Sequence, residues 1–600
     1  VGYGNYDTWR GQLYIGGGIT DNLAADIALN YLTQGEGWGK NLHNGHDTPT
    51  DYNEGIRTKW VWTGEETKVT FSADWQNNET GQGDMRIFQP GSVGANGHVH
   101  TGGFYDIEHN WPGGSNIPPN IPNGDSPVAT SYVKNWGLTL KVDHQMSWAD
   151  FVSITAHREL EQFNTFDNDG LPISLVDAQQ DVNETETFTQ EFQLMSNGEG
   201  RLDWIVGAFF LDDTSGYGGP NGLTLIGDHI IPIPGAMVSF LDPIETQSMA
   251  AFAEVTYDFT EATSLTVGAR LTRETKEITG KQRIYFPPGV FGPDEVVQYI
   301  YFDETFEAAN GVDLEETWTE PTFKISLNHN INDNVMVYGS YNRGFRSGSY
   351  NTVGVTGVPV KPELVDAYEI GFKSDLFDRR VRFNGAFFYY DFQDLQVVIA
   401  RGASTDLLNA GEAEIYGFDG ELEVSLSDNL TARAGLSLLE TEYTKFEEGN
   451  LCSHRGPDGK TYSGDSPATV GQECNVTGND MVRSPDTTFN IGFVYSKPLE
   501  YGIVGASLDY SWKDKFFWEV DNRLYEPSVG VLNGTLSWET PDEAFGVTLW
   551  GKNLTDEKYA NFQVAQASCG ADCANNPAGV GDHYSPAAPR TWGVDFNFRF

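Results

Sequence analysis

The sequence predicts an all-β fold, a 22-stranded antiparallel transmembrane β-barrel with short periplasmic turns and long extracellular loops, filling residues 1–600 as one domain. Three observations lead there. Apolar and polar side chains alternate over many stretches of about ten residues, short and long connections take turns along the chain, and the alternation continues to an aromatic C-terminus. A strand projects successive side chains to opposite sides, so this pattern calls for an apolar medium on one face and water on the other.

Taken in order, Val69, Phe71, Ala73 and Trp75 alternate with Thr70, Ser72, Asp74 and Gln76. Trp136, Leu138, Leu140 and Val142 oppose Asn135, Thr139, Lys141 and Asp143, and Leu265, Val267, Ala269 and Leu271 oppose Thr266, Gly268, Arg270 and Thr272. Trp592, Val594, Phe596, Phe598 and Phe600 close the chain, with Gly593, Asp595, Asn597 and Arg599 between them. Turn-like joints fall at residues 20–22, 64–66, 147–150, 197–200, 260–263, 331–334, 377–380, 427–429, 498–502 and 541–544. Between them lie long stretches rich in Gly, Pro, Asn and Asp, at 77–130, 214–245, 277–316, 445–485 and 557–589. A soluble sandwich has no reason to sort its connections by parity. An outer-membrane barrel does, and strands of about ten residues around these joints number roughly 22, the first a stub at Val1–Gly4.

Composition agrees. Mean hydropathy is −0.40, and the absence of a run of about 18 apolar residues excludes helical spans. A β-strand crosses with only alternate residues apolar, and 67 glycines and 13% aromatics suit such a wall. The formal charge of −48 argues against nucleic acid and leaves divalent cations or cationic ligands as compatible partners, or simply solvated acidic loops. Nothing at the start reads as a signal peptide, so the sequence is expected to begin inside a mature protein.

The segments at 251–276, 337–351 ("VYGSYNRGFRSGSYN"), 361–397, 409–423 ("NAGEAEIYGFDGELE"), 549–559 ("LWGKNLTDEKY") and 589–600 ("PRTWGVDFNFRF") together resemble the barrel of a TonB-dependent outer-membrane receptor. The resemblance implies a monomeric 22-stranded barrel set in outer-membrane lipid and lipopolysaccharide of a Gram-negative bacterium. It also implies energised uptake of a scarce nutrient, with a ferric siderophore or other iron complex as the default. Energy would come from the inner-membrane TonB–ExbB–ExbD complex. The stretch "VGYGNYDTWRGQLYIGGG" resembles the family's first barrel hairpin, so the plug and the TonB-binding segment are expected outside these residues. The aromatic end (Trp592, Phe596, Phe598, Phe600) would be read as an assembly signal. Alternatives are uptake of an oligosaccharide or other small organic molecule, a passive porin-like channel, and a surface adhesion or assembly protein.

The long loops carry the candidate chemistry. His43, His46, His98, His100 and His109 fall on the second and third long loops of the barrel order, where imidazoles could meet over the mouth to bind a ligand or metal, or merely be scattered on the surface. Four cysteines allow three pairings; local pairs Cys452–Cys474 and Cys569–Cys573 suit extracellular loops, with a zinc site as the alternative. Asp167 and Asp169 in "FDNDG" resemble the start of a calcium loop but lack its closing glutamate, so an Asx-rich turn competes. The aromatics at 387–392 and 515–520 are read as interfacial girdle or as stacking surfaces for a ligand. No P-loop, HExxH or GxSxG is present, and neither an enzymatic role nor a cofactor is expected.

Overall fold

A computed structural model describes residues 1–81, 87–93, 98–108, 130–167, 177–198, 200–217, 222–226, 237–286, 288–292, 294, 296–352, 356–401, 404–447, 452–455, 457, 461–463, 474–565 and 581–600. The barrel strands are, in order, Gly2–Gly4, Thr8–Thr20, Leu23–Gln34, Thr50–Thr63, Thr67–Gly81, Thr130–Gln145, Ala149–Asp167 and Asp177–Ser196. Next come Leu202–Gly216, Pro243–Thr260, Thr263–Ile278, Glu315–Asn332, Val335–Arg346, Glu363–Leu376 and Val381–Arg401. Ser404–Ser427, Leu430–Lys445, Thr487–Leu499, Gly502–Lys513, Val529–Glu539, Phe545–Lys552 and Thr591–Phe598 complete the set. Each pairs antiparallel with its sequence neighbour, and the ring of 22 closes where Gly2–Gly4 meets the last strand, Gly2 opposite Asp595 and Gly4 opposite Gly593. All the short joints read from the sequence fall between paired strands.

Register explains the alternation. Tyr341, Tyr368, Tyr389 and Tyr416 stand directly opposite one another on four successive strands. Ile370, Phe387, Phe418 and Leu438 form the next row on the same side. These are the outward face: an aromatic girdle over an aliphatic and aromatic band that lipid solvates. The opposite parity points into the lumen and is polar. There Arg158 grips Asp74 at 3.0 and 3.1 Å and reaches Asn135 at 3.1 Å, Lys324 meets Glu254 at 3.0 Å, and Arg433 meets Glu423 at 3.0 Å.

The wall rises well beyond the membrane. Val381–Arg401 and Ser404–Ser427 run 21 and 24 residues, where about 9–11 suffice to cross. Asn77–Gly81, placed in a loop by its polar composition, therefore continues a strand. Once both faces are wet, polar residues extend a hairpin because the ladder still satisfies the backbone. Asp167 likewise ends a strand, opposite Asp177, while Asp169 lies outside the described residues. Above the membrane four short strands, Leu223–Ile226, Met237–Leu241, Lys281–Phe286 and Val296–Tyr301, extend the sheet from Asp177–Ser196 as a flap. The buried apolar clusters of the described residues sit in this extracellular part, as around Tyr443 and Phe446 or around Ile244, Ile278 and Tyr350. A barrel this wide keeps no side-chain core within the membrane.

Candidate functional site at the extracellular mouth

The loops at the mouth are not independent. Asp582–Pro586 pairs with Ala560–Ala565 on one side and with Ile87–Phe88 on the other, joining the third loop to the last. Ile87, Ile107, Ala560 and Tyr584 bury together with Phe104 against them, so the contact excludes water as a small core does. Gln89 adds a side-chain hydrogen bond to Gln563 at 2.8 Å and a backbone one to Asp582 at 2.8 Å.

Asp582 is the hub. Its carboxylate, fully buried, accepts from Arg455 Nη2 at 2.7 Å and from both Nη atoms of Arg523 at 2.7 and 2.9 Å, while its backbone N–H donates to Ser92 Oγ at 2.7 Å. Arg523 Nε donates to Ser453 Oγ at 2.8 Å, and Ser453 donates to Asp521 at 2.9 and 3.1 Å. Ser453 follows Cys452, which is disulfide-bonded to Cys474. Glu526 accepts from the Ala560 N–H and from Gln563, and Glu519 from the Ala565 N–H. Burial, with Asp521 nearby, pushes the Glu519 carboxyl up to about 8. Four segments from remote parts of the chain thus form one body. Buried charges are tolerated here because each is paired or hydrogen-bonded.

The histidines divide. His98 Nε2 lies 2.5 Å and His100 Nδ1 3.2 Å from Glu108 Oε2, and Thr101 Oγ1 donates to Oε1 at 2.6 Å. Burial pushes the Glu108 carboxyl up, and the Thr101 and His98 hydrogen bonds outweigh it, so the group titrates below its usual range. His43 and His46 stand exposed on the tip between Lys40 and Asp47, a hairpin joined to this loop by the Asn41–Ile107 bridge. Among the described residues no three His, Cys, Asp or Glu side chains are arranged to hold a metal ion. His109, Cys569 and Cys573 lie outside the described residues.

The two aromatic runs separate as well. Phe387 and Tyr389 join the outward rows, while Phe388 and Tyr390 face the lumen and stack at 5.2 Å. Beside them Tyr338 donates to Glu369 at 2.5 Å, so this stretch of inner wall presents aromatic faces next to a carboxylate. Phe516 and Trp518 belong to neither a girdle nor a stacking surface. They are buried with Leu524 against Phe562 beyond the end of their barrel strand, where membrane contact is impossible. Asp582, Arg455, Arg523, Glu519 and Glu526 were not singled out in the sequence, since an acid and an arginine separated by 59 or 127 residues leave no local signature.

The family described as "TonB dependent receptor-like, beta-barrel" matches residues 88–554. A probable TonB-dependent siderophore receptor, PiuA of Acinetobacter baumannii, is 27% identical over 257 residues, which are 41% of this chain and 31% of that protein. The ferric yersiniabactin uptake receptor FyuA of Yersinia pestis superposes with TM-score 0.72 at 15% identity, covering 100% of this chain and 79% of that one. BauA, the ferric preacinetobactin receptor of Acinetobacter baumannii, gives 0.65 at 14% identity, with 100% and 79% covered. The match therefore spans about a third of the curated relative's length, and the solved structures speak to the fold.

Proposed function

Because the chain belongs to the TonB-dependent receptor-like β-barrel family and its barrel sits in a Gram-negative outer membrane, we propose that it forms the wall of a receptor that captures a scarce nutrient outside the cell. The nutrient then passes inward on energy delivered through TonB. The observation that carries this reading is the closed ring of 22 strands with four of its extracellular segments joined into one body at the mouth of a polar lumen. The substrate class we assign is an iron complex, a ferric siderophore first, by analogy with the relatives' names. The inner-wall aromatics Phe388 and Tyr390 would support it. The family is one of transport receptors rather than enzymes, so transport is binding and gated passage, with no covalent step. The plug and TonB-binding segment would lie outside these residues, and the barrel would act as a monomer.

The test is uptake of radio-iron by the host strain with and without the gene, under iron limitation, offering a panel of ferric siderophores. Loss of uptake of one complex, restored by the gene and abolished when TonB is deleted, is the expected result. Unchanged uptake of every complex would end the iron assignment. A large, steady conductance from the native protein in planar bilayers would end the gated one. The charge of −48 attracts no anionic chelate, which favours a neutral or cationic ligand and keeps an oligosaccharide or other small organic molecule as the second reading. Growth on such a compound as sole carbon source decides between them.

A further inference from the structure

Beyond nutrient uptake, we propose that the outer edge of the extracellular flap, Val296–Tyr301, is a docking strand for an extended, basic polypeptide segment of a partner protein. The strand pairs with Lys281–Phe286 on one side, and among the described residues no strand covers the other. Proteins usually blunt such edges with charge, Pro or a bulge. The sequence VVQYIY holds none of these, and Val297, Tyr299, Ile300 and Tyr301 are 37–54% exposed. Met237–Leu241, two strands inward, is by contrast buried along nearly its whole length. An open row of backbone N–H and C=O groups is matched by another strand, which a small molecule cannot supply.

The edge is also pre-arranged. Tyr299 and Tyr301 stack at 5.8 Å, and the Lys281 ammonium lies 5.2 and 5.8 Å from their rings, fixing an apolar ledge on one side. At its lower end Tyr301 pairs with Lys281, and the Phe302 N–H donates to Gly280 O at 3.1 Å, so the edge runs down onto the tops of the barrel strands. There Glu245, Glu277 and Glu315 stand directly opposite one another on three adjacent strands, all exposed and in no ion pair among the described residues. Like charges in cross-strand register are unfavourable, so a cation brought to this row relieves a repulsion already present.

These features choose the occupant. A second copy of this chain would bring the same acids and another −48 to the contact, whereas a segment with lysine or arginine at one end and alternating apolar residues along the rest satisfies edge, ledge and acids together. Its basic end lies at Tyr301.

The probe is a synthetic peptide of alternating valine and threonine with two lysines at either end, dye-labelled and titrated against the purified, detergent-solubilised full chain. The expected result is saturable binding that falls at least tenfold with Ile300→Lys or Tyr299→Lys, and likewise with the Glu277→Gln/Glu315→Gln pair. A peptide N-methylated at alternate residues should lose binding equally. Equal binding of the N-methylated peptide, or no effect of Ile300→Lys, would overturn the proposal, as would absence of binding. So would a dimer that Ile300→Lys dissociates, since the edge would then serve self-association. Heat-modifiable mobility on gels confirms that each variant is folded.

Discussion

Asp242 shows most sharply what one residue carries. It joins the flap to the barrel, is fully buried, and neither carboxylate oxygen has a hydrogen-bond partner. Its backbone N–H donates to Tyr217 O at 3.1 Å, and Gly280 at φ 113° lies so close to Leu241 O that any side chain there would collide. Burial pushes its carboxyl up to about 9 from 3.8, so the folded form keeps a proton that the open form releases. The favourable contribution is whole below the ordinary value and is lost as pH rises toward 9. Protection of the flap amides at 223–226, 237–241, 281–286 and 296–301, taken as exchange relative to the intrinsic base-catalysed rate, should therefore fall from pH 5 to pH 8, and Asp242→Asn should flatten that slope and raise protection at pH 8 at least about tenfold. An unchanged pH dependence in the variant would remove the role. Asp582→Ala tests the hub: leaving Arg455 and Arg523 without their acid should cost the loop assembly about 3–5 kcal/mol, seen as protease cleavage in the loops at 446–486, 514–528 and 553–590 while the barrel strands between them remain intact. Sequence reading brought His98 and His100 together because they are neighbours. It missed Asp582, whose partners come from two other loops.

At the scale of the strand, two faces meet two solvents. Ile370 is outward, mid-strand and 64% exposed in the bare barrel, so Ile370→Arg should cost about 2–4 kcal/mol of folding into lipid vesicles. Ser340, in the lumen opposite Glu369, should accept arginine with little loss. Equal costs at the two positions would contradict the assignment of faces. Period-two alternation made these strands legible, and turn residues such as Asp333–Asn334 and Asp428–Asn429 marked their ends. The flap strands were not legible. They are four to six residues long, lie in a stretch dense in Gly and Pro, and two of them are too evenly buried to alternate.

Across the whole molecule, closure rests on a small seam. Gly2–Gly4, the first strand, meets the last through three paired positions, with Phe596 N–H donating to Val1 O at 2.8 Å and Asn5 N–H to Trp592 O at 3.0 Å. Gly593 sits against the Trp550 ring and Tyr3 O, nearer than any Cβ could approach. Gly593→Leu should thus open the seam and abolish the heat-modifiable folded band, whereas Val594→Leu on the other face should leave it. A folded Gly593→Leu barrel would show that the seam tolerates displacement.

The alternation, the parity of short and long connections and the aromatic last strand determined the barrel, its strand number and its inside and outside. Each is a property of neighbouring residues that the period of a strand converts directly into a face. Which loops join over the mouth, which histidines share a carboxylate, and which short strands build a flap were decided by tertiary structure alone. Those contacts link residues tens to hundreds apart in the chain, where burial and charge pairing depend on a closed wall that must first bring the loops together.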